Sequence, residues 1–579
     1  MTRRRPVLAA IAVGVALAAV GAAAGRIGAA TATATVTTYP SAVTIPPTGK
    51  LPSGGGRSIT LNDPVGGDDA ALVVVSGAKE VGLTVDTKSL GPIGVQVRFR
   101  HFVRFGSSLV PDALLPWDGS KHPVEQANQP LSIEVSIPYG TKPGAYKSTA
   151  TVTLDTKAVV LPLTINVFNV TLPKPGDPKG ALLTTFAVGP QAYVNKDIQL
   201  FGIKADDQIR AANASLFAFL SAYRISPDNW GYGNPHDQSG YAASKAWWKD
   251  SQGEMIQQLT AGQFPDLWIP LSNNRSKPGT YVAGQNPLQP SSWCTYLGNV
   301  KNFWQLHQWT AQGQIHYIYP YDEPGDTHTS LLAQQASALH KCWPGAKMLV
   351  TATPDAVTAK LWDGKGTDDV DIWANVLWRY YGFYTSPANE KKGNRARINL
   401  AANNKARSHG KLIFAYTYYG VPGFPSFAAT EPLSDPRMFV LWTALEGIDG
   451  ILYAQGMTTY SGPGDPLQAN IGGRGESVLI YPGNGQPIPS ARLEQIRSGI
   501  EDWEIFDVIR KRFGAAKVRQ ILGSHGLFSA DASGVKLACV VGCDLKGVPP
   551  QAWPRWSHDS TTAGRIEAAR LDALKLASS

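Results

Sequence analysis

The sequence predicts a multi-domain chain in which an N-terminal antiparallel β-sandwich precedes a (β/α)8 TIM barrel. Three observations carry this expectation. The chain has 579 residues, more than one hydrophobic core encloses. Residues 31–173 hold short β-branched runs separated by Gly, Pro and Asp turns, with no helical stretch between them. From residue 174 onward, apolar strand-like runs alternate with longer helical stretches, the pattern of βα units on a parallel sheet.

The N-terminus comes first. Thr2-Arg3-Arg4-Arg5 precedes an apolar run from Val7 to Ala24, the basic and hydrophobic regions of a secretory signal, placed at residues 1–30. The expected location is therefore secreted, extracellular or at the cell surface. Small residues at Ala22–Ala24 and at Ala29-Ala30 both offer cleavage sites, and an uncleaved segment would act as an N-terminal membrane anchor. Residues 1–30 contain Arg3, Arg4, Arg5 and Arg26 and no acid, so without them the formal charge falls from +9 to +5. That mild excess speaks against a nucleic-acid partner. The basic stretch from Lys391 to Lys411 reads as a solvated helix face in preference to a site for an anionic polymer.

Within residues 31–173 the sandwich strands are Ala71–Val75, Val95–Phe99, Leu131–Val135, Thr149–Leu154 and Val159–Val170. Pro173-Lys174-Pro175-Gly176-Asp177-Pro178 is a stiff linker. The catalytic domain is placed at 174–529, with strand candidates at Leu182–Ala187, Arg224–Ser226, Leu267–Leu271, Gln314–Tyr321, Lys347–Thr353, Val370–Val376, Lys411–Thr417 and Gly450–Ala454. Eight such runs fit a (β/α)8 barrel. Helices are expected between them, among others at Asp206–Tyr223, Trp293–Trp309, Ser330–Cys342 and Asp435–Leu445. Residues 530–579 read as a C-terminal extension.

Four cysteines suit an exported chain. The CVVGC spacing of Cys539 and Cys543 fits a tight disulfide loop, which leaves Cys294 with Cys342 as the natural second pair. A zinc site built from all four lacks CxxC spacing. The ten histidines show no ligand spacing, so no metal and no cofactor is expected. There is no GxSxG elbow, HExxH helix, phosphate loop or GxGxxG turn, which removes the serine hydrolase, zincin, nucleotide and dinucleotide readings.

Carboxylate chemistry remains, and it centres on Tyr321-Asp322-Glu323-Pro324. The aromatic and apolar run from Gln314 ends there in two adjacent acids and a Pro-Gly turn. In a parallel barrel, carboxylates at a strand's C-terminal end join the loops that form the active site. Other strand ends supply Trp230, Asn273, Trp373, Asn375, Tyr416, Tyr418 and Tyr453. These are candidates for a carbohydrate site, since Asn bonds sugar hydroxyls while Trp and Tyr stack on ring faces. Ordinary glycosidase pairs come from separate elements on either side of the scissile bond, which adjacent residues fit poorly. Adjacency suits substrate assistance, in which a 2-acetamido oxygen attacks the anomeric carbon while one carboxylate orients the amide and the other moves the proton.

Several motifs together resemble glycoside hydrolase family 123 and the related domain of unknown function 4091 (DUF4091). They are Ser136-Ile137-Pro138 through Pro143-Gly144-Ala145-Tyr146, Tyr321-Asp322-Glu323-Pro324, Val370-Asp371-Ile372-Trp373, Phe414-Ala415-Tyr416-Thr417, Gly450-Ile451-Leu452-Tyr453, Ile480-Tyr481-Pro482 and the run Ser490–Trp503. The resemblance reaches to about residue 512 and implies a sandwich ahead of a barrel that bears an Asp-Glu pair. It implies Glu323 as general acid/base, Asp322 as the acetamido-orienting partner, and an exo-β-N-acetylgalactosaminidase-like, retaining activity. After Tyr453 the chain has Ala454-Gln455 where the family usually has an aromatic residue, which removes a stacking surface. Arg492, Arg497, Glu501 and Asp502 stand at helical spacing and read as a structural ion-pair network. Two alternatives stay open: a glycosidase on a sugar without an acetamido group, pairing Glu323 with Asp371 or Glu431, and a non-catalytic carbohydrate-binding surface protein.

Overall fold

The computed structural model describes residues 34–175, 180–187, 190–203, 206–225, 227–228, 294, 317–318, 324, 329–354, 359–364, 369–377, 395–417, 424–453, 457–458, 460, 462, 464–529, 555–556 and 559–579. The first ten strands form the sandwich: β1 (Thr35–Pro40), β2 (Ile59–Val65), β3 (Asp68–Ser76), β4 (Glu80–Val85), β5 (Gly94–Phe105), β6 (Ser108–Pro116), β7 (His122–Pro123), β8 (Asn128–Ser136), β9 (Gly144–Leu154) and β10 (Lys157–Thr171). One sheet runs β1-β3-β8-β5 with β6 also on β5, and the other runs β2-β10-β9-β4-β7. Period-two patterning builds the core between them. In β10, Leu161, Leu163, Ile165 and Val167 are buried while Val160 is 60% exposed. The pairing is antiparallel as expected, with the exception of β2, which lies parallel to β10 from Ile59↔Leu163 onward.

The third sheet, beyond the two of the sandwich, is parallel throughout. Its strands are β11 (Leu183–Ala187), β12 (Pro227–Asp228), β13 (Tyr317–Ile318), β14 (Lys347–Val350), β15 (Ile372–Val376), β16 (Leu412–Tyr416) and β17 (Gly450–Tyr453). Their order is β12-β11-β17-β16-β15-β14-β13. That is a cyclic order interrupted at one place, between the strands corresponding to the second and fourth expected runs. The third expected run, Leu267–Leu271, lies outside the described residues. A hydroxyl contact between Thr185 on β11 and Tyr317 on β13 joins strands near the two ends of the order, so the sheet curls back toward itself. The second strand starts later than Arg224–Ser226, because Arg224 takes a left-handed backbone (φ 60°) and turns its guanidinium to Glu504 (2.9 Å) and the Pro173 carbonyl (3.0 Å).

Helices α1 (Pro190–Phe201), α2 (Asp206–Ala222), α3 (Thr329–Cys342), α4 (Arg395–Ser408), α5 (Asp435–Glu446), α6 (Ala491–Phe513), α7 (Ala515–Ser524) and α8 (Thr562–Ser578) complete the described helical set. The expected Trp293–Trp309 helix lies outside the described residues apart from Cys294, which is bridged to Cys342 at the end of α3. Cys539 and Cys543 also lie outside them.

α6 begins at Ser490, whose hydroxyl accepts from Leu493 N–H (3.0 Å), and Arg510, Lys511 and Arg512 in its last turn complement the helix dipole. At Gly499 a Cβ would stand 2.9 Å from Val440 Cβ and 3.2 Å from Arg437 Cα, which is why α6 can lie so close on α5. α8 falls within the expected C-terminal extension. Its Ala563 joins Leu72, Val74 and Tyr39 in one apolar cluster, so the outer face of β3 is covered. Residues 34–579 form one compact unit.

Candidate active site

Strand register decides which side chains face the inside of the curled sheet. Side chains alternate along a strand, and partners in a parallel pair share a face. Thr185 and Tyr317 meet across the sheet and so mark the inner face. Thr185 pairs with Leu452, Leu452 with Tyr416, and Tyr416 with Val376, which puts Tyr416 on that inner face. The opposite face carries Trp373 and Asn375, and there Asn375 Nδ2 donates to Asn403 of α4 (3.2 Å) and to the Phe414 carbonyl (3.4 Å).

Three candidate sugar contacts stand on the face opposite Tyr416. Trp373, Asn375 and Tyr453 are fully buried in the layer between sheet and helices. Tyr453 donates its hydroxyl to the Glu476 carbonyl and packs against Phe427 (4.7 Å between centroids) and Phe186 (5.7 Å). Their apolar bulk at a strand end looked like a platform, but the odd-even phase of each strand sends it outward. Tyr416 keeps the orientation the reading needs. Thr185 and Tyr317 share its face, and nothing in their local sequence distinguishes them. Trp230, Asn273 and Tyr418 lie outside the described residues.

β13 is parallel to β14, so its C-terminal end points the same way as those of β11, β12 and β14 to β17. Asp322 and Glu323 follow that end and lie outside the described residues, as does the whole of 319–323.

The distant carboxylates are described, and each already has partners of its own. Asp371 precedes β15, at the N-terminal edge of the sheet. It accepts from Met348 N–H (2.8 Å) and pairs with His340 Nε2 (2.9 Å). Burial works against its charge, but His340, the Met348 N–H and Lys347 outweigh that and hold its pKa below the usual carboxylate range. Glu431 is ion-paired with Arg474 beside the sandwich, where the Leu433 N–H donates to Thr44 (2.9 Å). Both carboxylates are thus engaged by partners on their own side of the fold. A concavity of about 500 Å³ in the sandwich is lined by Val95, Gln96, Arg98 and Trp117 among others, but Arg98 is already engaged by Gln96 and Glu134. Among the described residues no cluster of three or more His, Cys, Asp or Glu is disposed to hold a metal ion.

The run Ser490–Trp503, the C-terminal signature among the motifs of this chain, lies at α6 and is structural, as its charge spacing predicts. Arg492 is buried and makes a forked pair with Asp112 of β6 (3.0 and 2.8 Å), while also donating to the carbonyls of Phe427 (2.7 Å), Gly475 (2.6 Å) and Val478 (2.5 Å). Glu501 accepts the Asp68 N–H (3.1 and 3.0 Å), and Asp502 binds Arg437 (2.7 Å) and Arg570 of α8 (2.7 Å). Arg570 also reaches Asp63 of β2 (3.1 Å). Arg497 lies 4.7 Å above the Tyr223 ring. The signature therefore fastens sandwich, sheet layer and α8 together. Sequence reading found these residues on α6 and missed their partners Asp112, Asp63 and Arg570, which lie hundreds of residues away or in a tail without a readable pattern.

Residues 273–509 match the model of the glycoside hydrolase 123 catalytic domain. A family 123 glycoside hydrolase from Clostridium perfringens, described in connection with glycolipid glycan hydrolysis, superposes with a TM-score of 0.61. It is 13% identical, over 94% of this chain and 99% of that one, which establishes a shared fold. A Bacteroides ovatus GH5 xyloglucanase overlaps at a TM-score of 0.31 and 10% identity over 77% of this chain and 98% of that one, too loosely to bear on the architecture. No curated protein matches the sequence. Over residues 273–509 the chain is thus similar to the glycoside hydrolase family 123 catalytic domain, and it shares the fold of a family 123 glycoside hydrolase.

Proposed function

We propose that this protein is a secreted glycoside hydrolase that cleaves a 2-acetamido sugar, such as a terminal β-GalNAc, by substrate-assisted retaining catalysis. The observation that carries the reading is the match over 273–509, which contains Asp322 and Glu323 a few residues beyond β13 in sequence. The Thr185–Tyr317 contact supports a closed (β/α)8 barrel, with Leu267–Leu271 as the third strand between β12 and β13. In that barrel the two acids follow the fourth strand at the rim where catalytic loops converge.

In the first step Glu323 gives its proton to the glycosidic oxygen and the aglycone leaves. The acetamido oxygen bonds to the anomeric carbon, and Asp322 accepts the amide N–H to orient it. In the second step Glu323 takes a proton from water, which attacks the anomeric carbon and breaks its bond to the acetamido oxygen, opening the five-membered ring closed in the first step, so two inversions retain the configuration. Tyr416, on the inner face, is the described side chain best placed to line the pocket. The glycolipid glycan hydrolysis described for the Clostridium perfringens protein makes a glycolipid glycan a sensible first natural substrate. Among the described residues no helix is long and apolar enough to cross a membrane, and export is proposed from the basic and apolar N-terminal segment.

The test is hydrolysis of aryl glycosides with and without a 2-acetamido group by the wild type, Glu323→Gln and Asp322→Asn. Turnover confined to acetamido substrates, lost in Glu323→Gln and blocked by a thiazoline analogue, supports the scheme. Equal turnover of plain hexosides refutes substrate assistance. No turnover of any glycoside favours the binding-protein alternative.

A further inference from the structure

The sandwich does more than abut the catalytic sheet: it takes a piece of a catalytic-domain loop into its own sheet. The chain leaves β17 at its C-terminal end, and farther along that connection Asn470-Ile471 forms a short strand, β18, parallel to the end of β5 (Asn470↔Arg104, Ile471↔Phe105). Asn470 Nδ2 donates to the Gly106 carbonyl (3.0 Å), and the Gly106 N–H donates to the Ile471 carbonyl (3.2 Å). Ile471 is buried with Val103, Phe105, Val478 and Tyr481. On the other side Lys196 of α1 donates to the carbonyls of Gly462 (2.9 Å) and Gly464 (3.3 Å).

One sandwich side chain that meets this strap has an unusual demand. The His101 imidazole on β5 faces the Glu125 carboxylate at Nδ1 (2.5 Å) and the Leu467 carbonyl at Nε2 (2.8 Å). Neither partner has a proton to give. A neutral imidazole carries one N–H, so only the imidazolium satisfies both contacts. The N–H groups of Leu467, Gln468 and Ala469 all donate to Asp465 and fix the carbonyl that His101 reaches. The Glu125 carboxylate is held in turn by the Phe102 N–H (2.9 Å).

We propose that His101 in its doubly protonated form is the pin by which the sandwich positions the connection after β17, so that the placement of this loop responds to pH. His101 is a positioning residue and touches no reacting atom. Burial opposes its charge, but the Glu125 hydrogen bond and charge, the Leu467 carbonyl and Asp465 outweigh it and raise the ring's pKa. Glu125 and Asp465 are the charged groups facing the ring. A cation with a raised pKa stabilises the strapped state fully below its ordinary value, and that contribution is lost as pH rises through the raised one. The catalytic consequence, and only that part, rests on the reading of the strand C-terminal rim as the active site.

The test is hydrogen exchange of the segment 465–471 in the full-length protein, corrected for intrinsic rates, across pH 5–9. Wild type should lose protection by up to ~10-fold per pH unit between the ordinary and raised imidazole pKa. His101→Gln should be loose and pH-independent, and His101→Lys, which stays protonated, should hold protection to higher pH. Nitrogen-15 spectra should show both ring nitrogens of His101 protonated at pH 6. A neutral ring at that pH, or the same exchange profile in His101→Gln as in wild type, overturns the pin. For the catalytic half, kcat/KM on an aryl 2-acetamido glycoside should fall over the pH range where protection falls, and His101→Gln should abolish that limb. Loosening without a change in turnover overturns the catalytic half. Failure to cleave any glycoside counts against the proposed function alone, because exchange and spectra read the pin without turnover.

Discussion

Replacing Arg492 with methionine is the sharpest test of the claim that the signature helix is a fastening. Methionine keeps much of the side-chain volume and removes the charge. The change leaves Asp112 fully buried with the Tyr481 hydroxyl (2.5 Å) as its remaining donor, and it strips a donor from the carbonyls of Phe427, Gly475 and Val478. Breaking a buried ion pair by removing one partner costs about 3–5 kcal/mol, because the other charge stays desolvated. Each orphaned carbonyl that water cannot reach adds on the order of 1 kcal/mol or more. A loss near 4 kcal/mol or above is therefore expected, read as the shift in urea unfolding midpoint of the full-length chain. The companion Asp112→Asn should cost less by itself, and the double variant should recover part of the sum, since the stranded carboxylate is gone. The reasoning is refuted by an Arg492→Met loss below about 1 kcal/mol, or by strictly additive behaviour of the two changes.

Other outcomes follow from the same junction and from the corrected site. Burial pushes Asp63 and Glu494 up to about 7 and Glu504 up to about 8, against the pull of Arg570, Arg100 and Arg224 respectively. Acids with raised folded pKa values bind more protons folded than unfolded. Stability should thus fall as pH rises from about 4 through 7–8, by up to ~1.4 kcal/mol per pH unit for each group in its window. A urea midpoint higher at pH 5 than at pH 8 is expected, and a flat or rising profile excludes it. Asp371→Asn, at the sheet's N-terminal edge, should leave KM within about twofold and cost roughly 1–3 kcal/mol of stability through its lost His340 pairing; a kcat loss of about 100-fold or more would restore it as a catalytic acid. Tyr453→Phe should cost about 1 kcal/mol for the hydroxyl bond to Glu476 and leave substrate affinity alone, whereas a raised KM would return Tyr453 to the sugar site.

The strands and helices of this chain were legible because their signals are local. Leu161, Leu163, Ile165 and Val167 alternate with less buried neighbours in β10, and α2, α3 and α5 fall within a residue of the expected bounds at every end. Which face a strand-end aromatic presents was not legible, because it depends on the phase of the whole sheet. Trp373 and Tyr416 stand in similar aromatic-rich strand ends, and only the Thr185–Leu452–Tyr416–Val376 register separates an inward ring from a packed one. Long-range ion pairs were illegible for a related reason. Arg492 announces that it needs a carboxylate, but Asp112 is 380 positions earlier and its neighbourhood on β6 looks like ordinary strand.

The position of the signature has a consequence for how activity and stability are coupled here. Glu494, Glu501, Asp502 and Glu504 lie on α6, inside or at the end of the 273–509 segment, yet their partners Arg100 and Asp68 belong to the sandwich and Arg570 to α8. A catalytic domain cut out at 273–509 would therefore expose several buried acids stripped of their arginines, a large desolvation and repulsion imbalance. The strand β18 and the His101 contact add a direct link from sandwich to a catalytic-domain loop. Sandwich and sheet should accordingly unfold in one transition, with loss of activity tracking it. Two separated transitions in calorimetry, the first leaving turnover intact, would show instead that the shared network transmits little energy between them.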